Sequence, residues 1–224
     1  MAELTFTVDG QDITASIENL VVAGWTGRDA KAVEDHIVEL EALGVARPKT
    51  VPCFYRLGSN LLTASDDIEV CGSNSSGEVE FVLVSLPEGL FVGVGSDLTD
   101  RVVEAYGVTV SKQVCPKPVS RELWRYEDVA GHWDTLILRA WVTRNGSRLL
   151  YQQGSVTRMR APDELIRLFT AHADLPVGTL MYCGTLPVQG HIGFGERFEV
   201  ELEDPLAQRS LKHGYVVRSL TLAD

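Results

Sequence analysis

The feature that most constrains this chain is the predominance of short segments with strand character. Some alternate apolar and polar residues with a period of two, which is typical of strands because successive side chains point to opposite faces. Others are continuous apolar runs of strand length. Together these segments occupy residues 4–8, 13–17, 21–24, 79–84, 90–94, 135–143, 149–153 and much of 180–217. This pattern predicts a strand-rich fold with pairing between distant parts of the chain.

Helical patterns are few. The apolar period changes to about 3.6 between residues 28 and 44, the segment 98–106 is compatible with a helix, and Pro162 predicts a helix that runs to about residue 172. A chain of 224 residues is long enough for one sizeable core. We therefore expect a single α+β domain over residues 1–224, with an N-terminal β-hairpin within residues 1–20 packed on it.

Charge and cysteine content exclude several classes of function. The chain has 31 acidic and 20 basic residues, a net charge of −11, which disfavours nucleic acid and anionic membranes as partners. It has no apolar run of the ~20 residues that a membrane span needs, and its first residues lack a secretory pattern. The four scattered cysteines lack zinc-ligand spacing and predict reduced thiols. We expect a cytoplasmic protein.

Three carboxylates are candidates for a metal site. Glu78 and Glu80 lie two apart on a predicted strand, so they share a face, where like charges are unfavourable unless a cation neutralises them. A solvated strand edge is the alternative interpretation of this pair. Asp97 follows the next strongly apolar strand. Three carboxylates on adjacent strands would suit Mg²⁺, which prefers oxygen ligands and leaves positions open for a substrate.

His36 and Glu39 form a second candidate site. They are three residues apart on a predicted helix, so their side chains can meet. A carboxylate that accepts a hydrogen bond from imidazole raises its basicity, and such a pair could activate water. The alternative is a partly buried histidine beside a solvated glutamate. A third segment, Cys183-Gly184-Thr185, follows an apolar strand, and its glycine fits either a turn or a close approach of backbone to ligand.

In this order, the motifs resemble those of the fumarylacetoacetate hydrolase superfamily. The matching segments are His36-Ile37-Val38-Glu39, Glu78-Val79-Glu80, residues 96–101 (SDLTDR), Lys112 before Pro116 and Pro118, residues 152–159 (QQGSVTRM) and residues 175–187 (LPVGTLMYCGTLP). The match runs from about residue 24 to 217. Glu104 stands where members often have glutamine, and the late TGTP motif is altered. These departures indicate a divergent, bacterial-type branch of unassigned substrate.

The resemblance implies a mixed β-roll with a few flanking helices, which usually forms a homodimer. It implies that Glu78, Glu80 and Asp97 bind Mg²⁺ or Mn²⁺. His36 and Glu39 would then activate water.

The same resemblance implies roles for three further residues. Lys112 would add positive charge near the developing enolate, and Arg101 and Thr185 would hold the substrate. The implied activity is a metal-dependent hydrolase that cleaves a C–C bond in a small 2-oxo or β-diketo acid, as an acylpyruvase does. The alternatives are an isomerase, hydratase or decarboxylase of a 2-oxo acid on the same scaffold, or a non-catalytic small-acid-binding protein.

Overall fold

The structure is a computed structural model that describes residues 1–42, 47–171 and 173–223, with His36 and Leu40 described by their backbone alone. Its strands are β1 (Ala2–Val8), β2 (Gln11–Ile17), β3 (Asn19–Gly24), β4 (Cys53–Leu57), β5 (Leu62–Thr63), β6 (Asp67–Cys71), β7 (Ser75–Ser76), β8 (Val79–Leu86), β9 (Gly89–Ser96), β10 (Thr99–Asp100), β11 (Lys117–Pro118), β12 (Glu122–Arg125), β13 (Ile137–Arg144), β14 (Ser147–Ser155), β15 (Thr179–Thr185), β16 (Arg197–Asp204) and β17 (Arg209–Leu220). Its helices are α1 (Ala30–Ala42), α2 (Arg101–Glu104), α3 (Val108–Gln113), α4 (Tyr126–Ala130) and α5 (Pro162–Thr170). Short 3₁₀ segments lie at Ser59–Leu61, Trp133–Thr135 and Val156–Arg158.

The larger sheet has eight strands in the order β2-β1-β12-β9-β8-β15-β3-β4. It is mixed: β1 runs parallel to β12 and β3 runs parallel to β15, whereas the other neighbours are antiparallel. Both parallel pairs join strands that are far apart in the chain. The sheet is therefore held together by pairing between distant parts of the chain, as the scattered strand segments predict.

The second sheet has five strands in the order β14-β13-β16-β17-β6. It packs against one face of the larger sheet, where Phe81 and Leu83 of β8 belong to the same buried cluster as Leu138 and Val200. The other face of β8 contributes Val82 and Val84 to a second cluster, which includes Phe6 and Ile17 from the N-terminal hairpin. Because both of its faces are covered, β8 has no exposed residue and is apolar at every position except Glu80 and Ser85.

The predicted strand-rich α+β fold is confirmed, but one helix is shorter than its pattern indicates. The segment 98–106 contains β10 and then the one-turn helix α2, because the Asp100 carboxylate accepts from the N–H groups of Val102 and Val103 and caps the helix there. The predicted helix over 28–44 is α1, and its expected end at Gly44 lies outside the described residues. In the described part of the chain, no helix is long and apolar enough to cross a membrane.

Candidate metal centre

The three predicted carboxylates converge at one end of the β8–β9 pair. Glu80 is paired with Gly95 across the two strands, and Asp97 follows directly after β9. The Asp97 N–H donates to the carbonyl oxygen of Glu78 at 2.9 Å, which holds the two loop residues together. One carboxylate oxygen from each of Glu78, Glu80 and Asp97 lies within 4.8 Å of the others. Strand register thus brings together the three residues predicted to bind a metal.

A glycine on the neighbouring strand anchors Glu80. The N–H of Gly184 donates to Glu80 Oε2 at 2.6 Å. Gly184 has φ of +99°, and a Cβ there would lie 1.8 Å from Thr26 Oγ1, so only glycine fits this close approach. Burial raises the pKa of Glu80 well above its usual range, and the Asp97 charge adds to this effect. The Gly184 N–H, which favours the ionised form, offsets part of the shift.

Two lysines contact the fully buried carboxylate of Asp97. The ammonium of Lys112 hydrogen-bonds to Asp97 Oδ2, and the ammonium of Lys117 lies 3.4 Å from Oδ1. Burial alone would raise the pKa of Asp97, but the two lysines outweigh it and hold the pKa below its usual range. Burial would lower the pKa of Lys112, but the charges of Asp97, Glu78 and Glu80 outweigh it and raise that pKa. Asp97 is therefore held ionised and Lys112 protonated.

Lys117 is the residue of this centre that sequence reasoning missed. Its side chain is fully buried, and its ammonium donates to three carbonyl oxygens, those of Leu98 at 2.7 Å, Lys112 at 2.6 Å and Cys115 at 3.1 Å. These bonds use all three protons of an ammonium. The available signal was the position of Lys117 between Pro116 and Pro118, which restrict its backbone to an extended conformation.

Arg101 neutralises the most exposed acid of the three. Its Nη2 is 3.0 Å from Glu78 Oε1, its Nη1 is 3.1 Å from Glu104 Oε2, and its Nε donates to Ser76 Oγ at 2.6 Å. Burial opposes the charge on Arg101, but the two glutamates outweigh burial and raise its pKa. All three nitrogens contact an oxygen of the protein, so a substrate carboxylate would compete with Glu104 for Arg101. Substrate binding by Arg101 stays a prediction.

Thr185 and Gln152 brace the start of β8. The Thr185 hydroxyl donates to the Val79 carbonyl at 2.8 Å and accepts from Gln152 Nε2 at 2.9 Å. The side chain of Gln152 also accepts from the Val79 N–H at 2.9 Å, and it is fully buried. Thr185 thus lies beside the centre with its proton already donated. Its predicted contact with substrate would use the remaining lone pair of its oxygen.

The predicted pair of His36 and Glu39 lies on α1. The segment before this helix contacts β15, the strand that carries Gly184. Thr26 Oγ1 donates to the carbonyl of Cys183, the residue before Gly184, at 3.0 Å. Glu39 is exposed, while the side chain of His36 lies outside the described part of the structure. The role of the pair in activating water therefore stays a prediction.

The donor set fits a divalent cation. Three carboxylates are hard oxygen ligands of the kind that Mg²⁺ and Mn²⁺ prefer. Asp97 Oδ1 is buried and accepts no hydrogen bond, so one oxygen of the set has an unmatched lone pair. The expected repulsion between like charges is, however, already relieved by Lys112, Lys117 and Arg101. A metal would bind to acids whose charge the protein itself has balanced.

Comparison with known structures defines the class of the fold. A protein from Burkholderia cenocepacia assigned as a fumarylpyruvate hydrolase has 18% identity and a TM-score of 0.65, covering 98% of this chain and 96% of its own. Yeast ynq8, a fumarylacetoacetate hydrolase family protein, has 16% identity, a TM-score of 0.63 and coverages of 91% and 94%. 2-Keto-3-deoxy-D-arabinonate dehydratase, complexed with magnesium and 2,5-dioxopentanoate, has 18% identity, a TM-score of 0.62 and coverages of 92% and 75%.

These similarities establish the fumarylacetoacetate hydrolase fold, and they confirm the resemblance predicted from the motifs at the level of the fold. Within that class, the chain belongs to the family DUF2848, described as a protein of unknown function, whose model matches residues 23–215. A search of curated proteins found no match.

Proposed function

We propose that this protein is a divalent-metal-dependent hydrolase that cleaves a C–C bond in a small 2-oxo or β-diketo acid, as an acylpyruvase does. The observation that carries the proposal is the convergence of Glu78, Glu80 and Asp97 beside the buried ammonium of Lys112. Similar folds occur in a magnesium-complexed dehydratase of a keto acid and in proteins assigned to hydrolysis, which supports an enzyme of this chemistry. The proposal takes residues 1–224 as one catalytic domain.

Glu78, Glu80 and Asp97 would hold Mg²⁺ or Mn²⁺. Such an ion, when bound, supplies Lewis-acid stabilisation of negative charge on a substrate oxygen. Lys112 would add a second positive charge to the same region, where a protein interior strengthens electrostatic stabilisation.

The remaining roles concern water and the substrate. His36 would accept a proton from the attacking water while Glu39 orients its ring. Arg101 and Thr185 would orient the substrate at the rim of the centre. An isomerase, hydratase or decarboxylase of a 2-oxo acid is the alternative on this scaffold, and it has less need of a base for water.

The assembly we propose is a homodimer. Four apolar side chains are exposed in the segment that contains α2 and α3: Val102 and Val110 on the two helices, Tyr106 between them and Val114 directly after α3. Exposed apolar patches are typical of protein–protein contacts. Light scattering should give about twice the chain mass of 24.6 kDa, and a mass near 24.6 kDa would contradict this assembly.

We also propose a cytoplasmic location. The free state of Cys53, Cys71, Cys115 and Cys183 supports it, because thiols persist in reducing compartments.

The test of the activity is a panel of 2-oxo and β-diketo acids given to the purified protein with Mg²⁺ or Mn²⁺. We expect hydrolysis of at least one acid, its loss on chelation, and its loss in Glu80→Gln. His36→Ala should lower kcat by ~10²–10⁴-fold with unchanged metal affinity, the usual contribution of a general base. Glu39→Gln should have a smaller effect, because it keeps a hydrogen-bonding partner for the imidazole.

Decarboxylation needs no attacking water. Retention of most activity in His36→Ala, with none in Glu80→Gln, would therefore replace hydrolysis by the alternative class. Wild-type rates in both variants would refute the whole assignment.

A further inference from the structure

The two lysines on Asp97 are held in different ways. Lys117 is fully buried, and its three protons bond to backbone carbonyls of residues 98, 112 and 115. These carbonyls belong to the β9–β10 connection, the last turn of α3 and the segment after it, so they cannot shift unless the backbone moves. Lys117 therefore stays in place, with its Nζ 3.4 Å from Asp97 Oδ1.

Lys112 is held by different groups. In the described part of the chain, every acceptor of its ammonium is a side-chain oxygen of the centre. These are Asp97 Oδ2, the Thr99 hydroxyl at 3.4 Å and, as an ion pair, Glu78 Oε2 at 3.8 Å. The Lys112 side chain is only 8% exposed, but its four-carbon stem is intrinsically flexible and its ammonium is tied to side chains.

The Lys112 ammonium occupies the space between two of the acids that would bind a metal. Mg²⁺ holds its oxygen ligands at ~2.0–2.1 Å. A divalent cation that shared Asp97 and Glu78 would lie against the ammonium, and the two positive charges would repel each other. Because Asp97 Oδ1 accepts no hydrogen bond, the repulsion between the two charges, rather than a shared oxygen, sets the ammonium against the cation.

We propose that Lys112 is an exchangeable counter-ion: its ammonium holds Asp97 and Glu78 in the metal-free protein and leaves them when a divalent cation binds, while Lys117 stays in place. The proposal rests on the proposed function, since it takes the acids as metal ligands. Its consequence is that metal entry and release of the Lys112 ammonium toward the substrate are one event. In the metal-free protein the Lys112 ammonium is then unable to contact a substrate.

The test measures Mn²⁺ binding to the full chain by calorimetry. Lys112→Met removes the competing charge and keeps an unbranched side chain, so Mn²⁺ should bind at least ~10-fold more tightly than to wild type. Lys212→Met is the matched control, because the Lys212 ammonium pairs with Glu201 in the five-stranded sheet. The control should bind Mn²⁺ as wild type does. Unchanged or weaker binding by Lys112→Met would overturn the exchange.

A second measurement uses the wild-type protein. Acetylation of lysines, read by mass spectrometry, should accelerate several-fold at Lys112 when Mn²⁺ is added, and Lys117 should stay unreactive. An unchanged Lys112 rate at saturating Mn²⁺ would overturn the exchange even if the variant misfolds. Tighter binding by Lys112→Met, together with no turnover of any 2-oxo acid by the wild-type protein, would refute the proposed activity and leave the exchange intact. Absence of Mn²⁺ binding in both proteins at millimolar concentration would refute both.

Discussion

Asp97 and Asp204 are both fully buried aspartates at the ends of strands, and their surroundings differ in kind. Asp204 accepts from the Ala207 N–H at 3.1 Å, contacts His132 Nε2 at 3.0 Å and accepts from Arg209 Nε at 3.4 Å. Both of its oxygens are thereby matched. Asp97 has one oxygen that accepts no hydrogen bond and lies among two lysines and two further acids.

Burial of an acid is therefore a poor indicator of function by itself. Asp204 ties the end of β16 to neighbouring segments, and each bond it makes is used for that purpose. Around Asp97 the protein gathers two lysines and two further acids, which packing alone does not require, and Asp97 Oδ1 accepts no hydrogen bond. The combination of surplus charge and an unused lone pair distinguishes a binding centre from a structural acid.

The largest effect should come from Asp97→Asn. The change keeps the shape of the side chain and removes the charge, so the metal loses a ligand that carries charge. Metal affinity and turnover should fall by more than the ~10–100-fold typical of residues one shell further out. Mg²⁺ should raise the melting temperature of wild type and of Asp204→Asn, but not of Asp97→Asn, because only a bound ion stabilises the folded state. Equal Mg²⁺ stabilisation of all three proteins would break the comparison.

The next effect should be on stability, in Asp204→Asn. The buried carboxylate loses its charge-assisted bonds, so the free energy of unfolding at neutral pH should fall by ~1–3 kcal/mol. Urea denaturation would measure this change. Unaltered stability would mean that Asp204 is not the structural counterpart described above.

The pH dependence of that difference sharpens the comparison. Burial would raise the pKa of Asp204, but the bonds from His132, Ala207 and Arg209 outweigh it and lower the pKa. An aspartate with a lowered pKa stabilises the fold above its unfolded value of about 3.9, and the stabilisation is lost as pH falls through the lower folded value. The gap between wild type and Asp204→Asn should therefore shrink below about pH 4. A constant gap from pH 7 to pH 3 would contradict this.

The smallest effect should be on selectivity, in Glu104→Gln. Glu104 shares the Arg101 guanidinium with Glu78, so a neutral amide would leave Arg101 freer to bind a second carboxylate on the substrate. A partly exposed ion pair is worth ~0.2–1 kcal/mol, so kcat/KM for dicarboxylates should gain a few-fold over that for monocarboxylates. An equal change in kcat/KM for both substrate classes would contradict a role for Glu104 in limiting access of a substrate carboxylate to Arg101.

The sequence predicts the parts of the centre that depend on local geometry. The strand period of two predicts that Glu78 and Glu80 lie close together, and they do, although β8 begins at Val79 and Glu78 lies just before it. Asp97 follows a strand whose apolar run is easy to recognise. Those rules hold whatever the distant parts of the chain do, and the structure brings the three acids together.

The rest depends on contacts between distant segments. The glycine that anchors Glu80 is 104 residues away in the chain, on a strand whose register against β8 contains an irregularity before Thr185. Lys117 takes part because three carbonyls converge on its ammonium, from the β9–β10 connection, from α3 and from the segment after α3. Neither contact produces a periodic pattern in the sequence, so sequence analysis leaves Gly184 with two alternative roles and Lys117 with none.

The bond from Gly184 to Glu80 also has a consequence for biosynthesis. A nascent chain that has emerged only as far as residue 170 already carries the three acids and their basic partners, but it lacks β15 and with it the donor to Glu80. Until β15 arrives, one edge of the largely apolar β8 has no neighbouring strand, and such an edge readily pairs with other chains. Ribosomes that stall in this interval would release an aggregation-prone polypeptide that added Mg²⁺ cannot rescue.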